Sequence, residues 1–198
     1  MLIRFRGLVA AAFCLALLVQ VRGQSTQAAD APETVPIEAG ELHLTVPKTW
    51  EPGKVSSNFR KAQMKVPKAK GDSEDAEFVV YYFDGGGGGI DPNVQRWVRS
   101  FQPSGRKVKV SSGKSPQGDY VFVDLQGTWN KPIGPMAQQR TQEMPNARAL
   151  SVILTTKEGN YFVRLTGPKA TVDANVDAFR TAFGGEAKSE KDRSIAQE

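Results

Sequence analysis

The sequence predicts an α+β fold in which two amphipathic helices cover a largely antiparallel sheet. Residues 78–83 are apolar or aromatic at every position, which is typical of a strand covered on both faces. Most of the predicted strands are linked by turns, and turn-linked strands pair antiparallel. Two segments, beginning at Val94 and Val172, instead repeat apolar residues every three or four positions, as on one face of a helix.

Residues 1–23 have the pattern of a signal peptide. A basic start with Arg4 and Arg6 precedes an apolar stretch over residues 8–21 that is short for a membrane span. We expect the mature chain to begin near Gln24, with Ala28 as a second candidate. The single cysteine, Cys14, lies in this leader. The mature protein would therefore lack disulfides, thiol catalysis and thiolate metal sites, and its location would be periplasmic or secreted.

The formal charge of +5 is misleading for the mature chain. Arg4, Arg6 and Arg22 belong to the leader, and without them 23 basic residues face 21 acidic ones. A nearly neutral protein has no general attraction for nucleic acid or for anionic membranes. We therefore expect no nucleic-acid partner, and no membrane span after signal cleavage.

The ordered part is predicted as a single domain over residues 38–185, between a disordered spacer at 24–37 and a disordered charged tail at 186–198. Residues 41–46 and 59–66 alternate in polarity, as in half-buried strands. After the strand at 78–83 and a glycine run, Asp91 is predicted to cap a helix with Pro92 in its first turn. Val94, Trp97, Val98 and Phe101 form its apolar stripe.

Further strands are predicted around residues 108–110 and 120–129, followed by a hairpin whose turn is at 157–160. Between them, residues 130–146 show no periodicity and contain three prolines, which predicts a long functional or mobile loop. The last helix is predicted to be capped by Thr171 and ended by Gly184 and Gly185.

The order of several short motifs resembles the PsbP-like α/β/α sandwich superfamily. These motifs are Val46-Pro47-x-x-Trp50, the glycine run with Asn93-x-x-Arg96-Trp97, Gly127-Thr128-Trp129, Gly159-Asn160-Tyr161-Phe162, Leu165-x-Gly167-Pro168 and Phe179-Arg180-x-x-Phe183. The resemblance covers about residues 38–185 and is nearest to an exported bacterial branch of unknown role. It implies a binding or assembly factor rather than an enzyme, and it supplies no catalytic residues.

The run of five glycines at 85–89 lies between a strand and a helix, where backbone N–H groups can bind anions. No Lys-Ser or Lys-Thr follows it, and Ile90 stands where a dinucleotide fingerprint would need its third glycine. Asp84 and Asp91 would repel phosphate. The run is therefore interpreted as a close-packed crossover, with partner contact as the alternative.

Known catalytic and metal-binding patterns are missing from the sequence. His43 is the single histidine, so a serine hydrolase or a usual transition-metal cluster has no second imidazole to use. Asp72, Glu74, Asp75 and Glu77 do not match a calcium loop and are interpreted as a solvated acidic segment. No cofactor, metal or catalytic residue is predicted.

The leading hypothesis is an exported, non-enzymatic binding or assembly module whose partner is another envelope protein or a small ligand. The alternatives are a small carboxylate-dependent periplasmic hydrolase and a structural envelope protein. The partner surface is predicted to combine the glycine run, the start of the first helix and the loop at 130–146. Its residues would be Gly86, Gly87, Gly88, Asp91, Arg96, Trp129, Met136, Arg140 and Met144.

Overall fold

The computed structural model describes residues 32–55, 57–134 and 138–195. Its strands are β1 (Thr34–Ala39), β2 (Leu42–Pro47), β3 (Glu51–Pro52), β4 (Arg60–Val66), β5 (Ala76–Tyr82), β6 (Lys107–Ser115), β7 (Gly118–Pro132), β8 (Thr141–Thr155), β9 (Asn160–Pro168) and β10 (Lys191–Asp192). Its α-helices are α1 (Ile90–Arg99), α2 (Lys169–Asp173) and α3 (Val176–Ala182). The predicted signal peptide lies outside the described residues.

One antiparallel sheet organises the described part of the chain. Its strand order is β10-β6-β7-β8-β9-β5-β4-β3, while β1 and β2 form a separate antiparallel hairpin. Every neighbouring pair in the large sheet is antiparallel. The predicted α+β class with a large antiparallel sheet is confirmed. The strand at 78–83 lies between β4 and β9, and its Phe78, Val79 and Val80 are buried.

The core lies on both faces of the sheet. On the first face, the β1–β2 hairpin, α2 and α3 pack around Phe179, whose ring lies 6.2 Å from Phe78 and 6.0 Å from Phe122. On the second face, α1 packs its Val94 and Trp97 against apolar residues of β7, β8 and β9. The strands between these layers can therefore be apolar on both sides.

The ordered region is wider than the predicted 38–185. Strand β1 begins at Thr34, because residues 34–39 pair along the whole length of β2. After α3 the chain forms a short 3₁₀ turn, Ala187–Ser189, and β10 then pairs with β6. Glu190 in this tail is almost fully buried and forms an ion pair with Arg180 of α3 at 2.8 Å. Disorder was predicted for the spacer from its Ala, Gln, Pro and acidic residues and for the tail from its charge. In the described residues, β1 pairs with β2 and β10 pairs with β6.

The predicted loop at 130–146 is wrong for most of its length. Strands β7 and β8 continue through it as a long hairpin, whose last described pair is Pro132 with Thr141. Two prolines fit this hairpin. Pro132 ends β7, and Pro145 lies where the register shifts, between the pairs Gly127–Ala147 and Trp129–Met144. At such places a strand does not need the missing proline N–H.

Both predicted helix caps are also wrong. Gly89 is the N-cap of α1, so Asp91 lies inside its first turn, where it forms an ion pair with Arg193 at 2.8 Å. The last helix is divided into α2 and α3, and Thr171 lies within α2. The Thr171 hydroxyl is buried and donates to Asp72, which fastens α2 to the loop before β5.

Asp173 gives the fold a dependence on acid. Burial by itself would raise the pKa of Asp173, but hydrogen bonds from Lys169 and Arg148 outweigh it and hold the pKa below 3.8. The resulting stabilisation is present above about pH 4 and is lost as the pH falls through the folded-state pKa.

We expect Asp173→Asn to lower the melting temperature at pH 7, and the difference from wild type to be smaller at pH 3. The loss should be below about 1 kcal/mol because the carboxylate is partly exposed. Melting followed by circular dichroism at both pH values measures it. Asp119→Asn is the control, since its ion pair with Lys114 is exposed on both sides. An equal gap at pH 7 and pH 3 would contradict the assignment.

Candidate functional site

The glycine run forms the loop between β5 and α1, and its backbone requires glycine. Gly85, Gly86, Gly87 and Gly88 all have positive φ angles, from 66° to 93°. Residues with a Cβ rarely adopt this conformation. Gly87 is also closely packed, since an added Cβ would lie 2.6 Å from Phe162 Cε2. A Cβ added at Gly85 or Gly86 would have no atom within 4 Å. The loop is thus packed against the sheet at Gly87 and open to contact at Gly85 and Gly86.

Asn93 fastens this loop to α1. Its side-chain amide donates to the carbonyl oxygens of Gly87 at 3.0 Å and Gly89 at 2.8 Å. Its Oδ1 accepts a hydrogen bond from Arg96 Nη2 at 2.5 Å. Arg96 is itself exposed. Arg96 was predicted to lie beside the loop, and its bond to Asn93 connects it to the loop. The sequence analysis did not name Asn93 as a site residue, although the Asn-x-x-Arg spacing places the two side chains on one face of a helix.

The rest of the predicted surface lies elsewhere. Trp129 is buried, with its ring 6.4 Å from that of Phe101, and Met144 packs beside the same cluster. Arg140 is exposed near the tip of the β7–β8 hairpin, and Met136 lies outside the described residues. Phe101 follows the end of α1, whereas the glycines precede its start, so a helix about 15 Å long separates the two groups. The two groups do not contact each other directly.

Three aromatic rings form a row beside the glycine loop, which we call the aromatic row: Phe59, Phe83 and Tyr81. The rings of Phe59 and Phe83 are 5.1 Å apart, and those of Phe83 and Tyr81 are 6.2 Å apart and nearly parallel. Phe59 is 53% exposed, although it is a large apolar side chain. Gly87 lies against this row, since a Cβ there would be 2.9 Å from Phe83.

Three arginines border the aromatic row, and we call them the arginine cluster: Arg60, Arg96 and Arg164. The Arg60 guanidinium lies 5.4 Å from the centre of the Tyr81 ring and donates to Glu77 at 3.2 Å. Arg164 lies 5.4 Å from the centre of the Trp97 ring. Burial lowers the pKa of Arg164, and the charge of Arg96 lowers it further while Tyr81 and Glu77 act in the opposite direction. The cluster therefore carries three cations and one neighbouring carboxylate.

The other candidates from the sequence are engaged individually. His43 forms an exposed pair with Glu38. In the predicted acidic segment, Glu74 pairs with Lys131, while Asp75 accepts the backbone N–H of Lys68. Within the described residues, no group of three or more His, Cys, Asp or Glu side chains is arranged to hold a metal ion.

A cavity of about 490 Å³ opens at the edge of the sheet near the β6–β7 turn. It is lined by residues of β6 and β7, including Tyr120, and by Ile90 and the tail residue Arg193, among others. The Tyr120 hydroxyl at this edge lies 3.3 Å from Glu190, and burial raises the pKa of Tyr120. The tail therefore forms one wall of this cavity.

No family model and no curated protein matches the chain. Among solved structures, the chain is similar to cyanobacterial PsbP (CyanoP) from Synechocystis sp. PCC 6803. That similarity has a TM-score of 0.47 and 9% identity, and it covers 85% of this chain and 98% of the other. The chain is also similar to PA94, a protein of unknown function from Pseudomonas aeruginosa. Here the TM-score is 0.41 and the identity 15%, with 75% and 92% of the two chains covered. The chain is thus similar to a PsbP structure, and the PsbP-like superfamily is the one that its sequence motifs resemble.

None of the helices in the described part of the chain is long and apolar enough to cross a membrane.

Proposed function

We propose that this protein is an exported, non-enzymatic binding module that uses the aromatic row and the glycine loop to hold another envelope protein. The observation that carries the proposal is the exposure of Phe59, stacked on Phe83 beside a loop of positive-φ glycines. Exposed aromatic residues next to arginines are the composition enriched at protein interfaces. This replaces the broader surface predicted from the sequence, which included Trp129 and Met144.

Two further points complete the proposal. The signal-peptide pattern of residues 1–23 supports a periplasmic or secreted location, where an envelope partner is available. We also interpret α1 on one face of the sheet and α2 with α3 on the other as the two amphipathic covers of a PsbP-like sandwich. Such a fold presents its loops and the uncovered part of the sheet for contact, without needing a catalytic centre.

The test is site-specific crosslinking in native cells. A photo-reactive phenylalanine analogue at position 59 should give a discrete crosslinked product that mass spectrometry identifies. Phe59→Ala should reduce co-purification of the same product about tenfold, the equivalent of about 1.4 kcal/mol, because one exposed anchor is lost.

Val108 supplies the matched control. It is another exposed apolar residue, at 41%, and it lies on β6 rather than beside the aromatic row. The analogue at position 108 should give no discrete product, and Val108→Ala should leave co-purification unchanged. The same products from both positions, or none from position 59, would refute the proposed surface.

A further inference from the structure

Arg164 is a cation held in an unusual position. It lies on β9, and its Nε donates to the buried hydroxyl of Ser151 at 3.1 Å. Its guanidinium also lies against the ring of Trp97. Among the described residues no carboxylate lies within ion-pair distance of Arg164, and none pairs with Arg96. A partly buried guanidinium usually gains a carboxylate partner, because desolvating a charge is costly.

Two other half-buried arginines do have such partners. Arg148 binds both Asp124 and Asp173 at 2.7 Å, and Arg180 binds Glu190 at 2.8 Å. Arg106, also half-buried, lacks a carboxylate too but donates to the carbonyl oxygens of Val98 and Phe101. Within the described residues, Arg164 has neither a carboxylate nor a backbone carbonyl oxygen as its acceptor. Its orientation is nevertheless fixed, by Ser151 on one side and by Trp97 on the other.

The position of Arg164 connects it to the aromatic row. Arg164 lies against the Trp97 ring, and Arg96 of the same helix is near enough for its charge to lower the pKa of Arg164. Phe162, two residues before Arg164 on the same strand, packs edge-on against both Trp97 at 6.3 Å and Phe83 at 5.7 Å. Arg164 is thereby linked to the aromatic row through Trp97 and Phe162.

We propose that Arg96 and Arg164 bind a carboxylate of the partner protein, from an aspartate or glutamate next to an apolar side chain that packs on Phe59. This inference rests on the proposed function and specifies the chemistry of its partner. A planar guanidinium suits a carboxylate, and a bound carboxylate would supply negative charge beside Arg96 and Arg164, for which Glu77 is not an ion-pair partner.

The test compares two peptides that differ in charge alone, acetyl-Phe-Glu-Phe-Glu-amide and acetyl-Phe-Gln-Phe-Gln-amide, on the full ¹⁵N-labelled chain. The arginine Nε–H and Trp97 indole signals report on binding by NMR. We expect the glutamate peptide to bind at least tenfold more tightly. Arg96→Gln and Arg164→Gln should each abolish that preference. Because Arg96 is exposed, its variant tests the site even if Arg164→Gln fails to fold.

Arg140→Gln is the matched control, since it removes the same charge from the exposed hairpin tip and should keep the preference. Equal binding of both peptides to the wild type would overturn the inference, as would an equal loss of preference in Arg140→Gln. Inorganic phosphate that saturates the same signals more tightly than the glutamate peptide would also overturn it, by making this a phosphate site. If crosslinking at position 59 succeeds without a carboxylate preference, the inference fails and the proposed function stands.

Discussion

Phe179→Ala is expected to lower the free energy of unfolding by about 3–5 kcal/mol, the usual cost of truncating a buried aromatic residue. Phe179 is fully buried and is the residue of α3 on which the first core layer converges. Its ring lies within about 6 Å of the rings of Phe78, Phe122 and Phe183. Alanine would leave a cavity between α3 and the sheet that these rigid rings cannot collapse to fill.

Urea denaturation followed by circular dichroism measures this loss, and the melting temperature should fall by roughly 6–20 °C. Phe59→Ala is the matched control because it deletes the same atoms from a ring that is 53% exposed. That variant should lose less than about 1 kcal/mol. If Phe179→Ala lowered the free energy of unfolding no more than the control, Phe179 would not pack α3 against the sheet.

Gly87→Ala is expected to cost about 2–5 kcal/mol, from two separate sources. The positive φ of 66° is unfavourable for any residue with a Cβ, by about 1–2 kcal/mol. The new methyl group would also meet Phe162 at 2.6 Å and Phe83 at 2.9 Å. Such overpacking typically adds about 1–3 kcal/mol. The clash should also displace Phe83 and so weaken binding at the aromatic row.

Gly86→Ala separates the two sources, because its φ of 88° is also positive but its added Cβ meets no atom within 4 Å. We expect it to lose the backbone component alone, about 1–2 kcal/mol. The free energy of unfolding of both variants, measured by urea denaturation, gives the packing component as their difference. Equal losses would mean that Gly87 is not packed against Phe162 and that the loop is only conformationally restricted.

The sequence predicted the parts of the fold that depend on local pattern. The alternation at 41–46 and 59–66 identified β2 and β4, and the stripe from Val94 identified α1. Where the pattern was irregular it failed. Pro132 and Pro145 suggested a loop, because sequence alone does not reveal that one lies at a strand end and the other at an irregularity. The order of the strands in the sheet also depends on contacts between distant residues, which no local pattern contains.

The candidate site shows the same division. Arg96 and the glycines were predicted because a glycine run before a helix is a local signal. Phe59 and Arg164 were missed as site residues, since each looks like an ordinary strand residue until the strands are paired. The predicted association of the glycines with Trp129 is not a direct contact, because α1 lies between them and Trp129 is buried.

By itself the sequence determined the α+β class, the signal-peptide pattern, the strands with regular alternation and the glycine crossover. These features follow from the period of side chains along one segment and from the backbone freedom of glycine. Only the tertiary structure decided that the tail pairs with β6, that Asp91 pairs with Arg193, and that Arg164 lies against Trp97 with no ion-pair partner among the described carboxylates. The physical reason is that burial and charge pairing are properties of residues far apart in the chain that folding brings together.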